Sequence, residues 1–140
     1  MNNRLIKFRV WDKKAKAFLQ EEDGLNPLPD GICFNIITGK FDACSSELLK
    51  RTEYYILQQF TGLYDKNKYP IYEGDIVKYT YERYEFEFEN DIGEVFFEDG
   101  IFYIGKEARF ASNDCNLRKE FIEIVGTVFE NPNLLSLLKE

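Results

Sequence analysis

The 140-residue sequence contains no histidine. Histidine is the commonest general base and the commonest metal ligand in proteins. Its absence excludes serine and cysteine triads of the usual kind, and zinc or iron sites built on imidazole. Carboxylate chemistry with a hard cation such as Mg²⁺ remains compatible with the sequence.

Cysteines and long apolar runs are also scarce. The three cysteines, Cys33, Cys44 and Cys115, are far apart and show no CxxC spacing, which indicates small, partly buried thiols. No apolar run approaches the roughly 20 residues that span a bilayer, and residues 1–14 lack an apolar core of signal-peptide length. The nine glycines are scattered and form no phosphate-binding loop. We therefore expect a cytoplasmic protein without a cofactor or a membrane partner.

Aromatic residues are abundant, with 13 Phe, 9 Tyr and 1 Trp. They favour pleated, half-buried strands. Many short apolar runs separated by turn residues predict a mainly β fold, a small barrel or sandwich of short antiparallel strands. Asn131 and Pro132 predict the cap and first residue of a short C-terminal helix.

Three local predictions can be checked directly. Asp99-Gly100 predicts a two-residue hairpin turn, which places Phe97 opposite Phe102 and Val95 opposite Ile104. The first strand is expected to turn Ile6, Phe8 and Val10 inward. Residues 45–51 are expected to form two helical turns, capped by a serine.

The negative charge is concentrated in one segment. The whole chain has a net charge of −7, and residues 82–99 contain eight acids against Arg83 alone. Alternation of rings and carboxylates from Tyr84 to Glu89 predicts one strand with an acidic face. This face is either a solvated edge or a surface that docks on a basic partner. The acids of the candidate interaction surface are Glu82, Glu85, Glu87, Glu89, Asp91, Glu94 and Glu98.

A smaller basic group lies near the N-terminus. Residues 4–16 contain six basic side chains against Asp12, with Phe8 and Trp11 among them. The pattern is either a solvated hairpin tip or a surface that binds nucleic acid through phosphate contacts and ring stacking.

Four motifs occur in the order found in a known family. They are IKFRVWD (6–12), QQFTGLYDKNKYPIYEGDIVKY (58–79), GEVFFEDGIFYI (93–104) and IVGTVFENPNLL (124–135). The sequence thereby resembles the YopX family of phage and prophage proteins. Residues 20–52 and 105–118 do not match. The family's usual Asn-Gly turn is replaced by Asn67-Lys68, so we expect a different loop geometry there.

The resemblance implies a β-rich phage accessory protein with an SH3-like C-terminal barrel and no catalytic residues to carry over. It suggests an N-terminal β-rich region at 1–60 and the barrel with its terminal helix at 61–140. The motif residues are interpreted as structural: Trp11, Asp12, Thr61, Gly62, Asp65, Tyr72, Gly74, Asp75, Gly126, Asn131 and Pro132.

The Glu73-Gly74-Asp75 motif allows two interpretations. In the structural one, Gly74 permits an unusual backbone and Asp75 accepts hydrogen bonds from the loop. In the catalytic one, Asp75 and Glu73 help to bind Mg²⁺ in a hydrolase. We expect a non-enzymatic module that binds a protein or self-assembles into a homo-oligomer. The alternatives are a nucleic-acid-binding β-barrel and, less favoured, the Mg²⁺-dependent hydrolase.

Overall fold

The computed structural model describes residues 6–20, 27–84, 87–105, 108–109 and 119–136, with the backbone alone for residues 81–84, 87–89, 108–109 and 119. The expected mainly β fold of short antiparallel strands is confirmed. The strands are β1 (Phe8–Asp12), β2 (Ala17–Phe18), β3 (Ile32–Asn35), β4 (Lys40–Ala43), β5 (Tyr55–Tyr64), β6 (Pro70–Tyr72), β7 (Asp75–Tyr84), β8 (Glu87–Glu98), β9 (Ile101–Ile104), β10 (Ala108–Arg109) and β11 (Glu123–Thr127). The helices are α1 (Ser46–Arg51) and α2 (Asn133–Ser136), and 3₁₀ turns cover Thr52–Tyr54 and Lys119–Phe121.

The chain divides into two compact units. The N-terminal unit comprises Lys7–Gln59, and the other comprises the described residues from Phe60 onward together with Ile6. Strand β5 contributes to both, because its first half pairs with β1 and its second half pairs with β6.

In the N-terminal unit, β1 lies between β2 and β5, and β3 and β4 form a separate hairpin. Its core is formed by Val10, Ile32 and Tyr55. The expected helix is confirmed as α1, since the Ser45 side chain accepts a hydrogen bond from the Leu48 N–H at 3.2 Å.

In the C-terminal unit, five antiparallel strands follow the order β10-β9-β8-β7-β11. The core residues of this unit are Ile71, Val77, Tyr79, Val95, Phe102, Ile104 and Ile122. The predicted hairpin is confirmed in register, with Phe97 opposite Phe102 and Val95 opposite Ile104. Asp99 and Gly100 have φ angles of 51° and 80°, as a two-residue hairpin turn with two left-handed positions requires.

Three local predictions are wrong. Ile6 is 66% exposed instead of inward, because the first strand begins only at Phe8. The single strand expected through Tyr84–Glu89 is two strands, since β7 ends at Tyr84 and β8 begins opposite it at Glu87. Cys33 and Cys44 are exposed free thiols, while Cys115 lies outside the described residues.

The loop between β5 and β6 has the changed geometry that Lys68 predicts. The Lys68 N–H donates to the Asp65 carbonyl at 2.9 Å, and the Asp65 N–H donates to the Tyr69 carbonyl at 2.8 Å. Lys68 has a φ of 68°, whereas Asn67 is not left-handed. This is a three-residue loop with one left-handed residue. A left-handed lysine costs roughly 1–2 kcal/mol more than glycine would.

Within the described residues, no helix is long and apolar enough to cross a membrane.

Candidate functional site

The acids of the candidate interaction surface lie mainly on β8. Glu87, Glu89, Asp91, Glu94 and Glu98 belong to that strand, Glu82 belongs to β7, and Glu85 lies outside the described residues. The backbone register places Glu82 opposite Phe88, and Tyr81 opposite Glu89. The structure therefore brings six of the seven acids onto one antiparallel ribbon, as two paired strands instead of the single strand expected.

The described acids of this ribbon differ in environment. Glu98 is exposed at the end of β8, and Asp91 is half-buried with its carboxylate accepting from the Ile92 N–H at 2.8 Å. Glu94 pairs with the fully buried Ile76, and burial raises the pKa of the Glu94 carboxyl. Glu94 is thus partly desolvated and is a weaker contributor to a charged docking surface than Glu98.

Asp65 accepts three backbone hydrogen bonds through its side chain. Its side chain is buried, and Oδ1 accepts from the Asn67 and Tyr69 N–H groups, both at 2.9 Å. Oδ2 accepts from the Ile124 N–H at 3.1 Å. One carboxylate therefore closes the loop between β5 and β6 and holds β11 against it. The neighbouring Lys66 adds an ion pair to Glu123 at 2.6 Å.

The Glu73-Gly74-Asp75 motif also has a framework geometry. Gly74 has a φ of 85°, donates to the Val95 carbonyl at 2.7 Å and accepts from the Val128 N–H at 2.9 Å. Asp75 is 1% exposed, and its Oδ2 accepts from the Tyr72 N–H at 2.8 Å. The motif thus links β6, β7, β8 and the residue after β11 through the Gly74 backbone and the Asp75 carboxylate.

Thr61 and Gly62 form an irregularity in β5. The Thr61 hydroxyl donates to the Ile71 carbonyl at 2.8 Å and accepts from the Leu63 N–H at 3.2 Å. Gly62 has a φ of 89°, and the β5–β6 register shifts between Phe60 and Tyr64. The Thr61 side chain and the left-handed Gly62 together stabilise this irregularity.

Trp11 and Asp12 have local roles in the N-terminal unit. The Trp11 ring is buried and meets the Phe18 ring edge-on, with centroids 4.9 Å apart. Asp12 Oδ1 accepts from the Lys14 and Ala15 N–H groups at 2.9 and 3.2 Å. This carboxylate shapes the turn between β1 and β2.

Gly126, Asn131 and Pro132 form the last motif. The Asn131 side chain accepts from the Thr127 N–H at 3.3 Å, and the Asn131 carbonyl accepts from the Leu134 N–H at 3.1 Å. The helix α2 begins at Asn133, after Pro132. A Cβ on Gly126 would lie 2.5 Å from Asn131 Oδ1, so the motif needs glycine for space.

Sequence analysis missed a cavity in the N-terminal unit. It has a volume of about 360 Å³, and its lining residues are Asp12, Lys14, Ala15, Arg51, Tyr54 and Tyr55. Lys14 belongs to the basic group at the N-terminus, whereas Arg51, Tyr54 and Tyr55 come from α1, the following 3₁₀ turn and β5, about 40 residues later in the sequence. Among the described residues, no three His, Cys, Asp or Glu side chains could hold a metal ion.

We expect Gly126→Ala to lower the free energy of unfolding by roughly 1–3 kcal/mol, because its Cβ displaces the Asn131 side chain. Urea unfolding measures this change. The matched control is the same substitution in an Asn131→Gly background, which removes the three clashing atoms. There the added loss should be well under about 1 kcal/mol. An equal loss in both backgrounds would show that the clash is not the cause.

Comparison with known proteins gives the family and a similar solved structure. The family model for YopX protein matches residues 7–136. The crystal structure of protein EF1440 from Enterococcus faecalis is similar at 26% identity and a TM-score of 0.55, covering 95% of this chain and 99% of that chain. No curated protein matches the sequence. Since the family model spans nearly the whole sequence, this chain belongs to the YopX family.

Proposed function

We propose that this protein is a non-enzymatic interaction module of phage or prophage origin that acts in the cytoplasm of the bacterial host. Its partner is a basic protein, which docks on the acidic ribbon of β7 and β8. The resemblance to phage and prophage proteins supports the origin.

We also propose that residues 61–140 form an SH3-like module, which the five-stranded antiparallel sheet supports.

The observation that carries the proposal is the position of the charge. Residues 7–59 contain eight basic and eight acidic side chains and are neutral, so the entire net charge of −7 belongs to the rest of the chain. Residues 82–99 include the end of β7 and all of β8. This segment alone has a net charge of −7. A localised field of one sign steers partners of the opposite sign and raises their association rate.

The contacts of the motif acids support a framework role over a catalytic one. Asp65 and Asp75 are both buried, and both hold backbone N–H groups. A carboxylate that accepts such bonds and is shielded from solvent is positioned to fix the chain. This arrangement favours an interaction module over the Mg²⁺-dependent hydrolase built on Asp75.

Charge reversal tests the docking surface. Affinity capture from phage-infected or lysogenic cells should retain a basic protein on the wild type and lose it on Glu85→Lys/Glu87→Lys/Glu89→Lys. The reason is that the reversal adds like charge opposite the partner, and binding to the wild type should weaken with added salt.

The matched control reverses the charge of three exposed acids of the N-terminal unit and should retain the partner. These acids are Asp30, Glu47 and Glu53. Retention by the first triple variant, or equal loss by the control, would refute docking through the acidic ribbon.

We also propose that the protein self-assembles through the N-terminal unit, residues 7–59, which has no net charge. Copies of the C-terminal unit repel each other, whereas copies of residues 7–59 do not. The turn between β3 and β4 presents Ile36 and Ile37, which are 78% and 92% exposed. Asn35 Oδ1 fixes this turn by accepting from the Ile37 and Thr38 N–H groups at 2.9 and 3.2 Å. A fixed apolar tip in place of the usual polar turn residues suits an interface between copies.

Light scattering measures the mass of the free assembly against the 16.6 kDa chain. We expect a multiple of that mass for the wild type and a single chain for Ile37→Asp, because burying one isoleucine contributes about 1.5–3 kcal/mol. Leu49→Asp is the control, since Leu49 is also an exposed apolar residue of this unit. A monomeric wild type, or an Ile37→Asp assembly of unchanged mass, would contradict this contact.

A further inference from the structure

Two basic side chains line the cavity of the N-terminal unit. Lys14 comes from the turn between β1 and β2, and Arg51 is the last residue of α1. Neither side chain forms an ion pair with any described residue. The Lys14 ammonium lies 5.6 Å from the centre of the Tyr54 ring, which forms one wall of the cavity. Two cations therefore line one concave space, and neither has an ion-pair partner in the described part of the chain.

The single acid of the cavity does not neutralise these cations. Asp12 is half-buried, and its Oδ1 is directed to the backbone N–H groups of Lys14 and Ala15. Its role is to shape the turn that carries Lys14. The cavity thus retains an excess of one positive charge.

Tyr55 also lines the cavity, but it belongs to the core of this unit and is only 7% exposed. Its buried hydroxyl has no hydrogen-bond partner among the described residues and is closed to solvent. The groups of the cavity that a ligand can reach are therefore the two cations and the exposed Tyr54 ring.

We propose that this cavity binds a phosphate monoester attached to a planar ring, as in a nucleotide or the 5′-terminal nucleotide of a single strand. A phosphate monoester carries a charge of about −1.5 to −2 near pH 7. Its oxygens can pair with both cations, although the cavity with Asp12 has a net charge of only one. Arg51 offers the planar fork that binds two phosphate oxygens, and Lys14 adds a point charge. The exposed Tyr54 ring provides the stacking surface for the base. A volume of about 360 Å³ accommodates such a group.

Calorimetric titration of the full chain at low salt tests the site with adenosine 5′-monophosphate, adenosine and inorganic phosphate. The monophosphate should bind at least about tenfold more tightly than adenosine, because only the former can use both cations. The variant Lys14→Gln/Arg51→Gln should weaken that binding by about tenfold or more. Tyr54→Leu should reduce the affinity for the monophosphate to that for inorganic phosphate.

The matched control is Lys13→Gln/Lys50→Gln, which removes two cations adjacent in sequence that do not line the cavity. Its affinity should stay close to that of the wild type. Equal weakening by both double variants would mean general charge attraction and would overturn the site. So would the absence of binding by both the monophosphate and inorganic phosphate.

Two further ligands distinguish the source of the phosphate from other acidic partners. A 5′-phosphorylated oligothymidylate that binds more tightly than its unphosphorylated form supports a strand end as the source. Equal binding of the two strands, together with a weak monophosphate, would overturn the monoester proposal in favour of internal backbone contacts. Tighter binding of a hexaglutamate peptide than of the monophosphate, lost in Lys14→Gln/Arg51→Gln, would assign the cavity to a protein carboxylate and also overturn it.

Discussion

The C-terminal unit depends on one buried carboxylate. Asp65 accepts two backbone N–H groups from its own loop and a third from Ile124, 59 residues later in the chain. Hydrogen bonds to an ionised acceptor are stronger than neutral ones, and a buried N–H left without an acceptor is costly. Asp65 therefore joins segments of this unit that lie far apart in the sequence, as a disulfide does in a secreted domain.

The other motif residues extend the same principle. Gly74 takes a left-handed conformation that lets its N–H reach Val95 and its carbonyl reach Val128. Gly126 leaves the space in which Asn131 accepts from Thr127. The family motifs thus mark places where backbone groups of separate strands meet.

Local chemistry made part of this structure predictable. Asp99-Gly100 favours two successive left-handed residues, so these two residues are enough to predict the register of β8 and β9. The connection between β7 and β8 was missed because Glu85-Phe86 contains none of the usual turn residues, and its alternation continues that of a strand. The same alternation led to the wrong single strand, because periodicity shows which residues share a face and does not show where the chain reverses.

Long-range contacts could not be predicted from the sequence, for a different reason. The Asp65 turn was predictable as a turn, but nothing local indicates that its second oxygen binds Ile124. Asn131 before a proline favours a helix cap, yet the nearby N–H of Thr127 takes its side chain because Gly126 opens the approach. The cavity joins Lys14 to Arg51 and Tyr54 only after β1 has paired with β5. Each of these features depends on which strands become neighbours.

The most direct test of the role of Asp65 is urea unfolding of the Asp65→Asn variant combined with amide hydrogen exchange. An amide side chain has one acceptor oxygen, so it cannot satisfy both the loop and Ile124. The free energy of unfolding should fall by about 2–4 kcal/mol, with faster exchange at Ile124 or at Asn67 and Tyr69. Asp42→Asn is the control, since Asp42 is exposed and, among the described residues, accepts only from its neighbour Ala43. An Asp65→Asn protein as stable as this control, with unchanged exchange at all three amides, would contradict the central role of Asp65.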